Sequence, residues 1–558
     1  MAQPAIVYKS PPWYNGWAAQ WGLLLLFFAI GWVIWQRVDV WWLDQLMISD
    51  HFVSLVEQFR LGRGFERSAE LGYVTVSQTP PLYPLLLGWF MGFIGADNWT
   101  EFLPMVQLVQ FALYVSATVS VFLFARRRIR ASFALMITFM FAISPITIAA
   151  MQRLSPDLLY VNFSLIAMIA MDKYFALDGN SIKHRQVLQC CLWVTLAALT
   201  SHLGMALLFA FFTLTFYKLG LKRGMNVVMG VALFLIPWAL WALSQQMTWS
   251  ELVNYWQHPV ERIHTTIQEL TQYTFSWARM SMNGQATLST LTNTLFGGVE
   301  LDFSWLGVEQ GRPWILLLSD IPWVSAGLGA LILVGLCTAF TQYSGVTSAY
   351  VMFFLFLSVW SPVVGNVVSV TLLPYVLFFL FQGVLMINKG FKELQLKPLG
   401  TGLLTGLVTI SVLHTLHVCL NPQVYVPLAP VHVSQGRKEV VALDDFVSKD
   451  GLMLRQLDRY YYKAFQWLQG HTAHNASLVA DSSAVFRLFS QRYTMPVPQT
   501  QSTEYSRYQL ATLTDYVIEE TGRPRVKQYL SPVLEQYPDK FRLVYQDKVS
   551  AIRIWKVL

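Results

Sequence analysis

Residues 104–130 read PMVQLVQFALYVSATVSVFLFARRRIR. The uncharged run 104–125 is long enough for a helix to cross a bilayer, which takes about 20 apolar residues. It ends in Arg126, Arg127, Arg128 and Arg130. A basic cluster beside a span marks the cytoplasmic end, so this stretch predicts both a membrane helix and its direction.

Similar runs lie on either side. Trp17 to Gln36 comes first, and the stretches near 132–151, 158–176, 187–201, 203–219, 226–246, 321–342, 348–365, 367–387 and 400–420 follow. With 104–125 these make about eleven spans by the bilayer-thickness criterion. The first follows a short polar start containing Lys9 with no small-residue cleavage site after it, as in a retained signal anchor. Lys173, Lys183 and Arg185 follow the fourth run; Lys218, Lys222 and Arg223 the sixth; Lys389, Lys392 and Lys397 the tenth. A cytoplasmic N-terminus puts all of these clusters, and the Arg126 cluster, on the cytoplasmic side. Pro81 to Ala96 is also apolar but short, and a crossing there would turn every later cluster outward. It is therefore expected to lie at, or dip into, the outer surface, started by Pro80-Pro81.

Composition agrees. The chain has 558 residues, 54% hydrophobic and 13% charged, against about a quarter charged in soluble proteins. That disfavours a soluble globular protein, a disordered chain and a nucleic-acid-binding domain. The net charge of +7 matters less than where the charges stand. Cys190, Cys191, Cys337 and Cys419 all lie in apolar runs without metal-ligand spacing, and read as small buried hydrophobes.

Two long outer loops result, near 37–103 and 247–320, the second partly helical and amphipathic. After about 421 the chain turns polar. Strand-like runs at 476–480 and 548–555 and helix-like stretches at 482–491 and 507–520 suit a small α/β domain. The expected fold class is an all-α polytopic membrane protein, residues 1–420, with juxtamembrane helices and a small C-terminal α/β domain, residues 421–558, on the outer face. The setting that fits is a bacterial inner membrane.

Ionisable groups at a membrane face are costly unless they are solvated or functional. Asp50, in Ile48-Ser49-Asp50-His51-Phe52, opens a helical pattern in which Phe52, Leu55, Val56 and Phe59 share a face. The helix dipole favours a carboxylate there, and a plain helix cap is the competing reading. Arg60, Arg63 and Arg67, with Gly62 and Gly64 between them, suit phosphate through forked hydrogen bonds or form a headgroup rim. Arg153-Leu-Ser-Pro-Asp157 occupies a very short outer turn: Pro156 should break one helix and Asp157 open the next. His202 sits in another outer turn, as a site residue or a structural one.

The stretch Ser49-Asp50-His51, then Arg60-Leu-Gly-Arg-Gly-Phe65, then Thr79-Pro-Pro-Leu-Tyr-Pro-Leu-Leu-Leu87, resembles the first outer loop of the GT-C superfamily of membrane glycosyltransferases. Within it, the chain is similar in style to the lipid A aminoarabinose transferases and protein O-mannosyltransferases. Arg153 to Asp157 resembles the family's second outer acidic element, and the C-terminal stretch its small outer domain. Two departures stand out. His51 replaces the family's second acid, and Leu373-Pro374 lacks a preceding Arg-Tyr.

The resemblance implies inverting transfer of a sugar from a polyprenyl-phosphate donor to an envelope acceptor, whether lipid, glycan or protein, on the non-cytoplasmic face. Asp50 would be the catalytic base. Arg63 and Arg153 would contact phosphate, Asp157 and His202 would orient donor or acceptor, and His51 and Arg60 complete the substrate-binding set. No cofactor is required; a divalent cation is left open, and no metal ligand set is assigned. The expected partners are membrane lipid, the lipid-linked sugar and the acceptor. Two other readings stay open on the residues: a transporter or flippase of lipid-linked sugars, and a non-catalytic assembly protein of the same fold.

Overall fold

In the computed structural model, the residues described are 17–37, 56, 80–95, 99–152, 154–176, 184–201, 203–244, 322–342, 345–360, 367–393, 402, 456–483, 486, 490, 492–497, 503–521, 526–546 and 552–558. Helices form where the apolar runs predict them. They are α1 (Trp17–Arg37), α2 (Leu82–Ile94), α3 (Trp99–Arg126), α4 (Ala131–Ile143), α5 (Pro145–Gln152), α6 (Asp157–Phe175), α7 (His184–Thr200), α8 (Gly204–Leu219), α9 (Leu221–Ser244), α10 (Pro322–Gln342), α11 (Val346–Trp360) and α12 (Val367–Glu393). Among the described residues, four segments, Met105–Arg126, Asp157–Phe175, Leu221–Leu240 and Val370–Lys389, are long and apolar enough to cross a membrane. The run 400–420 lies outside the described residues apart from Gly402.

One run departs from expectation. The stretch 132–151 is two helices, α4 and α5, because Pro145 lacks an N–H and forces the residue before it out of the helical region. Ser144 accordingly has φ −59° and ψ 129°.

Helix α6 packs against α3, α7 and α12, and its polar side chains are satisfied within the bundle. Asn162 donates to the carbonyls of Leu113 (3.1 Å) and Leu158 (2.9 Å) and accepts from Ser116 (2.8 Å) and Ser120 (3.1 Å). The hydroxyls of Tyr160 and Tyr350 meet at 2.8 Å, and Tyr375 donates to Ser164 at 2.9 Å. Where no water reaches, such internal bonds replace hydration and tie helices together.

At the far end of α3, Arg128 pairs with Asp172, donates to the Phe124 carbonyl at 3.0 Å and lies 3.8 Å from the Phe124 ring centroid. Helices α10 and α12 touch backbone to backbone. A Cβ on Gly335 would fall 1.8 Å from the Phe379 carbonyl oxygen, and one on Gly383 2.0 Å from that of Leu331. Cys190 and Cys191 are buried as expected, but Cys337 is exposed on the outward face of α10; an apolar run does not say which side of its helix faces the bundle. Cys419 lies outside the described residues.

The C-terminal region comprises α13 (Gln456–His471), β1 (Ser477–Ala480), β2 (Tyr493–Pro496), α14 (Thr503–Leu513), β3 (Tyr516–Glu520), a π-turn continuing into α15 (Ser531–Gln536), β4 (Phe541–Gln546) and β5 (Ile552–Val557). The five strands run in the order β2-β1-β3-β5-β4. The first three are parallel, and β5 is antiparallel to both β3 and β4. The helix expected over 507–520 stops at Leu513, and Tyr516–Glu520 is a central strand. The Asp515 carboxylate accepts from the Ser477 amide (2.8 Å) and hydroxyl (3.0 Å), which pins the chain beside β1. The β-prone Tyr516-Val517-Ile518 then pairs into the sheet.

Overpacking of a well-packed core costs about 1–3 kcal/mol, occasionally more, and at the α10–α12 contact the obstruction is backbone. Gly383→Leu should sharply lower the thermal stability and folded yield of the detergent-solubilised protein. Gly92→Ala, with nothing within 4 Å of the new methyl, should leave both nearly unchanged. Size-exclusion chromatography with thermal unfolding measures this.

Candidate functional site

Helix α2 begins after Pro81, as expected from its proline pair, and ends at Gly95, whose φ of 72° suits glycine. One side is buried through Tyr83, Leu87 and Met91, while Leu86, Trp89 and Phe93 point outward. Tyr83 reaches the bundle. Gln110, on α3 and only 2% exposed, donates one amide hydrogen to the Tyr83 oxygen and another to the Ser155 carbonyl at 3.1 Å. One side chain therefore fastens α2 to the turn between α5 and α6. Because the Ser155 carbonyl can only accept, the amide orientation is fixed. The Gln110 Oε1 and the Ser155 hydroxyl are buried without a hydrogen-bond partner among the described residues.

Asp157 opens α6, with Pro156 before it. The residue is 7% exposed, and its carboxylate stands at the positive end of the helix dipole. Burial drives the Tyr83 phenol well above its ordinary range; the Gln110 bond works against this, and the nearby Asp157 charge adds to it. Tyr83 thus stays neutral, a hydrogen-bonding group beside a buried acid.

Around this latch runs one apolar cluster. Val56, Tyr83, Leu87, Met91, Val106, Leu154 and Leu159 join Tyr461, Ala464, Phe465 and Leu468 of α13 and Leu478, Ala480, Ile518, Ile552 and Ile554 of the sheet. The α13 residues recur at helical spacing and form a single face. Tyr461 also donates to Glu520 at 2.7 Å, and the amide and hydroxyl of Ser482 complete that buried carboxylate. The C-terminal sheet region therefore sits over the start of α6 and the α2 helix. The Arg128–Asp172 pair stands at the opposite ends of α3 and α6.

Of the residues singled out by sequence, only Asp157 is among those described. Asp50, His51, Arg60, Arg63, Arg153 and His202 lie outside them. Among the described residues, no group of three or more His, Cys, Asp or Glu side chains is placed to hold a metal ion. The role of Gln110 was missed. Its signal was a carboxamide inside a largely apolar span, a placement that calls for a partner.

Known structures share this architecture along nearly the whole chain. ArnT from Cupriavidus metallidurans, in a crystal structure bound to undecaprenyl phosphate, aligns over 96% of this chain and 98% of its own, with a TM-score of 0.52 and 12% identity. The Archaeoglobus fulgidus oligosaccharyltransferase AglB, in complex with an inhibitory peptide and a dolichol-phosphate, aligns over 97% of this chain and 74% of its own, with a TM-score of 0.52 and 10% identity. The Archaeoglobus fulgidus oligosaccharyltransferase tethered with an acceptor peptide containing the NVT sequon gives a TM-score of 0.54 at 9% identity over the same shares. The chain has the GT-C fold. It is an integral membrane protein, mostly helical, with a small C-terminal sheet. No protein-family model matches the sequence, and no curated protein does. The GT-C fold is thus shared here at low sequence identity.

Each Gln110 hydrogen bond should contribute about 0.5–1.5 kcal/mol. Gln110→Leu and Tyr83→Phe should each lower thermal stability, and the double variant should fall short of the sum. Thermal unfolding of the four proteins in one detergent measures that coupling; strict additivity would mean that the latch carries no shared energy.

Proposed function

We propose that this protein is a glycosyltransferase that takes a sugar from a polyprenyl-phosphate donor at the non-cytoplasmic face and passes it, with inversion, to an acceptor hydroxyl of the cell envelope. The observation that carries the reading is the GT-C architecture over 96% of the chain. The ArnT structure that shares it is bound to undecaprenyl phosphate, and one of the AglB structures is in complex with a dolichol-phosphate. A buried acid on this chain, Asp157, stands at the end of the bundle over which the C-terminal region packs.

Chain connectivity supports the placement of the reactive residues. Val56 belongs to the same cluster as Tyr83 and Leu159. Asp50 precedes it by six residues, a reach of at most about 20 Å. Arg153 is covalently next to Leu154 of that cluster, and His202 follows two residues after the end of α7, which packs on α2.

In the proposed reaction Asp50 accepts the proton of the acceptor hydroxyl, whose oxygen attacks the anomeric carbon from the face opposite the phosphate. The bond from that carbon to the phosphate oxygen breaks, and its electron pair leaves with the polyprenyl phosphate. Arg63 and Arg153 stabilise the charge that develops on the leaving oxygen, with Arg60 and His51 beside them. Asp157 and His202 hold sugar or acceptor hydroxyls in line. The C-terminal region, residues 421–558, lies on the non-cytoplasmic side in this reading, and the Arg128–Asp172 end faces the cytoplasm, as the basic clusters require. The reaction as written needs no metal.

A general base contributes about 10²–10⁴-fold. Asp50→Asn should therefore lower transfer from undecaprenyl-phosphate-linked sugars by at least about a hundredfold, with unchanged membrane expression and thermal stability. Mass spectrometry of envelope glycolipids and glycoproteins from cells carrying each variant reads the outcome. Full activity in the Asn variant would remove Asp50 as base. Transbilayer movement of lipid-linked sugar by purified protein, in vesicles lacking any acceptor, would favour a flippase instead.

A further inference from the structure

Helix α9 differs from the other long spans. Leu221, Met225, Met229, Leu233, Ile236 and Leu240 form a stripe at steps of three and four residues, and every one is exposed. Only 17% of its apolar window is buried within the protein, against 50–83% for the other three long spans. The opposite face is fixed: Val227 and Val231 are buried, and a Cβ on Gly230 would fall 2.7 Å from the Cys191 sulfur.

The stripe begins at a basic turn. Lys218 closes α8, Gly220 makes the turn with φ 81°, and Lys222 and Arg223 open α9. Helix α9 starts tight against α8, since a Cβ on Gly224 would meet the Phe216 ring at 2.2 Å. Lys218 and Lys222 are exposed and Arg223 is half-buried. The Lys218 ammonium lies 5.8 Å from the Phe175 ring centroid, at the C-terminal end of α6. Asp172, near the same end of α6, is paired with Arg128. Three cations thus stand within six residues at the head of an exposed apolar track that descends along one helix.

We infer that the α8–α9 turn and the outward face of α9 form a binding site for an anionic phospholipid. Lys218, Lys222 and Arg223 hold its phosphate, and its acyl chains lie along Met225, Met229 and Leu233. Charge complementarity selects an anionic headgroup over a zwitterionic one, and each cation near such a surface favours binding about fivefold. The site stands apart from Asp157 and the Tyr83 latch, at the opposite end of the bundle, and does not depend on the proposed chemistry.

Native mass spectrometry of the full-length protein in detergent tests this with phosphatidylglycerol and phosphatidylcholine as probes. The wild-type protein should retain phosphatidylglycerol in preference to phosphatidylcholine. The Lys218→Gln/Lys222→Gln/Arg223→Gln variant should lose that preference by at least about tenfold. Arg126→Gln/Arg127→Gln, which removes two exposed cations from another turn, should keep it. If the triple variant is not monodisperse, Lys222→Gln alone should show a loss of about fivefold. Glycerol phosphate without acyl chains should fail to displace the bound lipid. Equal retention by wild type and triple variant, equal losses in the two multiple variants, or displacement by glycerol phosphate would overturn the proposal.

Discussion

A single carboxamide ties together one end of the helix bundle. Gln110 sits inside a membrane helix, where an unsatisfied amide would be costly, and spends its two hydrogens on the Tyr83 phenol and the Ser155 carbonyl. These bonds set the position of α2 against the turn that delivers Asp157. They also set how Leu87 and Met91 meet Leu159, and hence the surface on which α13 and the sheet rest. A buried acid, a neutral phenol and the C-terminal sheet region are thereby held at one end of the bundle.

The rest of the membrane region makes that end rigid. Asn162 joins α6 to α3 through one amide hydrogen, given to Leu113, and its oxygen, which accepts from Ser116 and Ser120, and Tyr160, Tyr350, Tyr375 and Ser164 link α6 to α11 and α12. At the other end Arg128 is pinned between Asp172 and the Phe124 ring. Packed helices of this kind hold side-chain positions firmly. A route through the middle of the bilayer would call for helices broken around a central site. Here the break at Ser144-Pro145 is local, and the buried Asp157 lies at a helix start.

Much of the fold was legible because lipid imposes a length and a charge asymmetry that a one-dimensional reading can see. The helices at 104–125, 158–176 and 367–387, and the short helix after Pro81, follow directly. Pro145 was visible, but a long apolar run concealed its effect. The strand at Tyr516–Glu520 was misread because a helix precedes it and only the Asp515–Ser477 contact, 38 residues apart, decides where the helix ends. Cys337 was misplaced for a related reason, since hydropathy does not resolve the face of a helix. At the site, Pro156 announced Asp157. Tyr83 stood in a motif whose meaning depended on Gln110, a partner 27 residues away that composition could not choose. Asp50, His51, Arg60, Arg63, Arg153 and His202 remain proposals resting on sequence and chain connectivity.

Photo-crosslinking with a diazirine-bearing polyprenyl phosphate, followed by peptide mapping of the purified protein, addresses the placement of the lipid phosphate most directly. Label is expected in the segments around Asp50 to Arg67 and Arg153 to Asp157, competed by unlabelled undecaprenyl phosphate. Competable label confined to the Arg126–Arg130 end, or none above the background of a non-phosphorylated polyprenol, would contradict a donor site beneath the C-terminal domain.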